Sequence, residues 1–105
     1  MNYKEIEPDE LQEIICDQSN SGYVLLDVRT PEENESERIP DSILINFYEP
    51  DFKEKVSSLE KEKTYYVICR SGSRSGKACQ MMSEMGFKDC HNLLGGMLAW
   101  QGDVE

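Results

Sequence analysis

Tyr23-Val24-Leu25-Leu26-Asp27-Val28 stays apolar through consecutive positions and is interrupted only by Asp27. A half-buried strand would alternate and a surface helix would repeat every three or four residues. A short continuous run belongs instead to a strand covered on both faces. Thr64-Tyr65-Tyr66-Val67-Ile68 is a second such run, short, β-branched and aromatic. Strands of this kind need helices on both sides of their sheet, and the segments between them read as helices.

Residues 3–6, "YKEI", form a short strand candidate. "PDELQEIICDQ" follows, with Pro8 suited to the first helical position and Leu11, Ile14 and Ile15 on one face. "TPEENESER" opens with Thr30 as an N-cap and Pro31 at the first helical position, and its polar body predicts a short surface helix or turn. A strand is expected around Ile43 to Ile45, and a helix carrying Phe52, Val56 and Leu59 at i, i+4 and i+7. After the second apolar run, Ala78, Met81, Met82 and Met85 are expected on one helical face, with Gly86 as the stop signal. "KDCHNLL" is a fifth strand, and "GGMLAWQGDVE" closes the chain with a short helix carrying Trp100. Strands and helices in steady alternation predict an α/β fold with a parallel sheet, helices on both faces and right-handed crossovers.

The 105 residues suit one domain spanning 1–105. With 38% hydrophobic and 30% charged residues the chain reads as soluble and folded. The net charge of -10 argues against nucleic acid and anionic membranes as partners. No apolar run approaches the roughly 20 residues of a membrane span, and the acidic N-terminus lacks an export-signal core, so a cytoplasmic location is expected. Four cysteines, Cys16, Cys69, Cys79 and Cys90, occur without a CxxC pair. That argues against a disulfide framework and a zinc site, and no metal or organic cofactor is expected.

Cys69-Arg70-Ser71-Gly72-Ser73-Arg74-Ser75 lies between the strand at 64–68 and the next helix. Ligands of parallel sheets bind beyond the carboxyl ends of the strands, which is where this loop falls. Helix N-termini and neighbouring cations lower a thiol pKa from about 8.5 to about 3.5–7.5. The helix beginning near Ser73 supplies free N–H groups, and Arg70 and Arg74 are expected to add full charges. Gly72 allows a sharp turn that aims successive N–H groups inward, and the serines donate or cap. The loop suits a negative sulfur or a negative substrate. The single histidine, His91, lies in the fifth strand, so the chemistry must suit a thiolate that needs no neighbouring base. Attack of a thiolate on sulfur meets that requirement.

"LLDVRTPEE", "IPDSILIN", "VICRSGSRS" and "NLLGGMLAW" occur in this order across nearly the whole chain. Together they resemble the single-domain rhodanese-like sulfurtransferases. The resemblance implies a three-layer sandwich around a five-stranded parallel sheet. It also implies a cysteine that takes a sulfane sulfur as a persulfide and passes it to a thiol or cyanide. By position, Cys69 matches the sulfur acceptor, and Arg70, Ser71, Gly72, Ser73 and Arg74 match the substrate-binding loop. Asp27 and Arg29 match a DVR element read mainly as structural, with a secondary role at the site mouth; Gly95, Gly96 and Trp100 match a closing structural element. The implied partners are thiosulfate, a low-molecular-weight persulfide, or a protein donor or acceptor.

Related phosphatases and arsenate reductases resemble a Cys-x5-Arg pattern. Cys69 and Arg74 are spaced Cys-x4-Arg, which favours sulfur over an oxyanion. A small oxyanion enzyme and a protein-interaction module remain the alternatives. Glu37-Arg38-Ile39-Pro40-Asp41-Ser42 departs from the family's G-H-I-P-G-A element, and Asn34 replaces a common aromatic, which bears on the local turn and the site rim. Cys16 and Cys79 are expected to be core or surface thiols.

Overall fold

The computed structural model describes residues 3–105. Its elements run β1 (Lys4–Ile6), α1 (Pro8–Cys16), β2 (Tyr23–Asp27), α2 (Pro31–Ser36), β3 (Ile43–Leu44), α3 (Phe52–Ser57), β4 (Thr64–Ile68), α4 (Ser73–Glu84), β5 (Asp89–Leu93) and α5 (Gly96–Ala99). The five strands form one sheet in the order β1-β5-β4-β2-β3, and every pairing is parallel. β4 is therefore central, and its last residue, Ile68, pairs with Asp27 at the end of β2.

Alternation along β2 and β4 divides the interior in two. Leu26, Tyr65 and Val67 face a core shared with Phe52, Val56, Ala78, Cys79, Met82 and Phe87. Leu25, Tyr66 and Ile68 face the opposite core, with Ile6, Leu11, Ile39 and Leu93. Helices α3 and α4 thus cover one face, and α1 and α5 the other, as the doubly apolar strands require. Among the described residues no helix is long and apolar enough to cross a membrane.

Several elements differ in detail from the sequence expectation. α1 stops at Cys16, and β3 has two residues, both exposed at the sheet edge. Leu59 packs beyond the end of α3 and is only partly buried. On α4 the buried side chains are Ser75, Ala78, Cys79 and Met82, while Met81 and Met85 are partly buried flanks. Helical pitch rotates each residue by about 100°, so the face directed at the sheet is centred nearer Cys79 than Met81. Cys16 is exposed and Cys90 buried.

The segment 37–42 keeps a defined turn. Asp41 takes a left-handed backbone with φ 68°, a region that Asp tolerates better than most residues. Ser42 closes the turn onto the Ile39 carbonyl, its Oγ donating at 2.8 Å. The Arg38 backbone pairs in both directions with Glu105.

Candidate active site

The loop after β4 surrounds a sulfur. Cys69 is buried, and the Gly72 N–H donates to its Sγ at 3.0 Å. The Ser75 hydroxyl lies 3.2 Å from the same atom. Burial is the largest single influence on the thiol and opposes its ionisation. The Ser75 hydroxyl and the backbone N–H groups of Ser75, Gly72 and Ser71 together outweigh it, and the pKa falls below the ordinary thiol value. The thiolate is therefore stabilised chiefly by N–H and O–H dipoles.

Those dipoles are aimed by the surrounding elements. A trans peptide points its C=O and N–H in opposite directions, so fixing one fixes the other. Leu98 N–H, at the start of α5, donates to the Arg70 carbonyl at 3.0 Å, which directs the Ser71 N–H inward. Met97 N–H holds the Cys69 carbonyl at 2.9 Å. Gly96 permits this approach: with φ 54°, a Cβ there would overlap the Cys69 carbonyl and lie 2.6 Å from that of Arg70. Gly95 is also left-handed, at φ 73°, and packs on Ala99. Gly72 caps α4 at φ 101°, a conformation that favours glycine.

Asn92 anchors the loop from β5. Its Nδ2 donates to the Gly72 carbonyl at 3.1 Å, and its Oδ1 accepts from the Ser75 hydroxyl at 2.5 Å, so the single Ser75 proton is shared between Asn92 Oδ1 and Cys69 Sγ. Sequence reasoning passed over Asn92. The available signal was one amide inside the closing apolar strand "CHNLL".

Asp27 and Arg29 form a buried pair at the carboxyl edge of β2. Arg29 Nη2 lies 2.8 Å from Asp27 Oδ2, and its Nε contacts both carboxylate oxygens. Asn34 donates to Asp27 Oδ2 at 3.0 Å, so this residue, absent from the family pattern, completes the carboxylate's partners. Arg29 Nη2 also reaches the Glu37 carbonyl at 2.6 Å, tying β2 to the departing segment. Trp100 packs against the α1/α5 core and donates from Nε1 to the Asp103 carbonyl at 3.1 Å.

The two loop arginines behave differently from expectation. Arg70 is exposed at the mouth, but Arg74 turns toward α2, where Nη1 and Nη2 meet Glu33 Oε1 and Oε2 at 2.8 and 2.9 Å. The Tyr48 ring lies 5.5 Å from the same guanidinium. Arg74 holds the Glu33 carboxyl down at about 2, with burial opposing. Thus Arg74 is a neutralised pair rather than a free charge beside the sulfur. Ser71 and Ser73 are exposed; within the cradle, Ser71 contributes its N–H.

The remaining thiols and the histidine stand apart. Burial pushes Cys79 far up, with Cys90 and Cys69 adding to it, and pushes Cys90 up to about 11. His91 Nε2 lies 2.8 Å from Asp89 Oδ1, and its ring packs on Tyr66, on the sheet face opposite the sulfur.

A parallel α/β sheet bearing a thiol at the carboxyl end of its central strand, cradled by N–H groups, defines a cysteine-loop protein of the sulfur- or oxyanion-binding kind. Comparison with known proteins resolves the class. Residues 7–103 match the Rhodanese-like domain family, and the chain belongs to it. It is 40% identical to YtwF of Bacillus subtilis (strain 168) over 105 residues, covering 100% of this chain and 97% of that protein. It is 33% identical to the thiosulfate sulfurtransferase GlpE of Pseudomonas syringae pv. syringae, covering 94% and 88%. A crystal structure of a rhodanese-like domain protein from Staphylococcus aureus superposes with a TM-score of 0.84 at 32% identity, covering 97% and 96%. Family and relatives support sulfur transfer as the general chemistry.

Proposed function

We propose that Cys69 accepts a sulfane sulfur as a persulfide and passes it to a thiol or cyanide. The observation that carries this reading is the convergence of the Gly72 N–H and the Ser75 hydroxyl on Cys69 Sγ, at 3.0 and 3.2 Å. The Cys69 thiolate attacks the outer sulfur of the donor. An S–S bond forms, and the donor's S–S bond breaks with its electron pair on the leaving group, sulfite when the donor is thiosulfate. The inward N–H groups of Ser71, Gly72 and Ser75 then stabilise the terminal sulfur anion. In the second half-reaction a thiolate or cyanide attacks that outer sulfur. The Cys69 S–S bond breaks and its electrons return to Cys69 as thiolate.

Neither half-reaction requires a proton to be removed by a base, consistent with His91 being occupied by Asp89 and Tyr66. The cysteine is the only carrier the steps use. An oxyanion enzyme would want the arginine guanidinium over the loop, and Glu33 holds that of Arg74 instead. Thiosulfate, small persulfides and a protein persulfide are all donors of the right chemistry.

The test is incubation with thiosulfate or a small persulfide, followed by peptide mass spectrometry. Gain of one sulfur on Cys69, discharged by cyanide as thiocyanate and absent in Cys69→Ser, is the expected result. If no donor loads Cys69, or Cys69→Ser retains the activity, the proposal fails.

A further inference from the structure

The fold assigns opposite fates to the two charges beside the sulfur. Arg70 is exposed and its side chain has no partner among the described residues, whereas Arg74 surrenders both terminal nitrogens to Glu33. Glu33 is itself fixed in place. Its Oε1 accepts from the Thr30 N–H and hydroxyl, both at 3.1 Å, while the Thr30 hydroxyl caps α2 in return. The carboxylate that neutralises Arg74 is therefore held by its own helix and is not a loose surface group. It also stands at the mouth, where Glu33, Glu37, Arg70 and Leu98 line one cleft.

We propose that Glu33 is a specificity-determining residue: by clamping Arg74 it removes one positive charge from the sulfur-accepting loop and disfavours dianionic donors relative to donors of lower charge. The proposal rests on Cys69 being the sulfur acceptor. It adds that the loop's composition overstates its affinity for thiosulfate, because one of its two cations is already paired. The helix cap and the clamp are separable. A glutamine at 33 still offers Oε1 to Thr30, but its neutral amide cannot hold a guanidinium bidentately.

Methanethiosulfonate and thiosulfate make a matched pair of donors. Both present a terminal sulfur bonded to a sulfonyl sulfur, and both are attacked by Cys69 in the same way. The leaving group is sulfinate from the first and sulfite from the second, and their charges are one and two. Freeing a cation within a Debye length of the incoming ion favours the dianion by roughly threefold relative to the monoanion at near-water screening.

The experiment compares kcat/KM for the two donors. Glu33→Gln is expected to raise the thiosulfate-to-thiosulfonate ratio by about threefold or more. Arg74→Gln, which leaves the Glu33 carboxylate uncompensated, is expected to lower it by a similar factor, and the double variant to return it to the wild-type value. Should Glu33→Gln not fold, the Arg74→Gln shift carries the test. Alkylation of Cys69 by iodoacetate against iodoacetamide, read on the Cys69 peptide, reports the same charge without sulfur transfer and must move in the same directions. Sulfur loading with unmoved ratios overturns the role of Glu33 alone. Absence of loading from either donor, with alkylation ratios that do move, overturns the sulfur-acceptor reading and the donor preference with it.

Discussion

Asn92 holds Gly72 by its carbonyl, at 3.1 Å, while the N–H of Gly72 points at the Cys69 sulfur, at 3.0 Å. A side chain on β5 thus sets the backbone that meets the sulfur on the neighbouring strand's loop. Asn92→Ala removes two hydrogen bonds, while the Gly72 carbonyl keeps the Gly76 N–H and the Ser75 hydroxyl keeps Cys69 Sγ, so the loss is about 0.5–1.5 kcal/mol for each bond. Urea denaturation is expected to record that loss. Sulfur loading is expected to slow beyond what the lost stability explains, since the protein remains folded under assay conditions. Unchanged loading in a destabilised variant would confine Asn92 to a structural role.

Much of this arrangement is local and was legible in the residues. "VICRSGSRS" contains the strand, the left-handed Gly72 and the helix start, so the cradle could be read without the fold. The partners that orient it could not. Glu33 and Arg74 lie 41 positions apart, and Thr30-x-x-Glu33 reads from sequence only as a capping box. Its second use emerges when α2 and α4 meet at the same edge. The expectation that Arg74 adds a full charge to the loop changes for the same reason, because a charge's nearest partner is decided by packing. Asn92 is obscured in a strand whose other buried residues are apolar.

The Ser75 hydroxyl is the leading hydrogen bond lowering the Cys69 pKa. An acid whose pKa is depressed on folding contributes stability that is present above its unfolded pKa, about 8.5, and lost as pH falls through the folded value. The rate of Cys69 alkylation by iodoacetamide should therefore rise with pH around a midpoint below that of a free thiol. Ser75→Ala is expected to move this midpoint upward and to narrow the pH range in which the thiolate stabilises the fold. Peptide-resolved alkylation between pH 5 and pH 10 checks both, and a midpoint indifferent to Ser75→Ala would contradict the assignment.

Asp27 and Arg29 are nearly inaccessible, with side-chain exposures of 1% and 5%. Removing one partner strands a charge, at a cost of about 3–5 kcal/mol, whereas replacing both with apolar groups of similar volume is far less damaging. Asp27→Leu is accordingly expected to lower the denaturation midpoint strongly, and Asp27→Leu with Arg29→Met to recover a large part of it. The double variant should still load sulfur on Cys69, because neither side chain contacts Sγ among the described residues. If it folds but cannot load, the pair acts at the site mouth as well as in the scaffold.

Gly96 and Gly22 both have positive φ, 54° and 82°, yet they predict different consequences. A Cβ at Gly22 meets nothing within 4 Å, so Gly22→Ala carries backbone strain alone, about 1–2 kcal/mol. A Cβ at Gly96 adds a collision with the Cys69 and Arg70 carbonyls, the two acceptors that Met97 and Leu98 hold. Moving those carbonyls rotates the Ser71 N–H away from the sulfur through the rigid peptide plane. Gly96→Ala is therefore expected to destabilise more than Gly22→Ala, to raise the midpoint of Cys69 alkylation with pH, and to slow sulfur loading. Gly22→Ala should leave alkylation and loading at wild-type values. Equal alkylation midpoints in the two variants would mean that the approach of α5 does not orient the cradle.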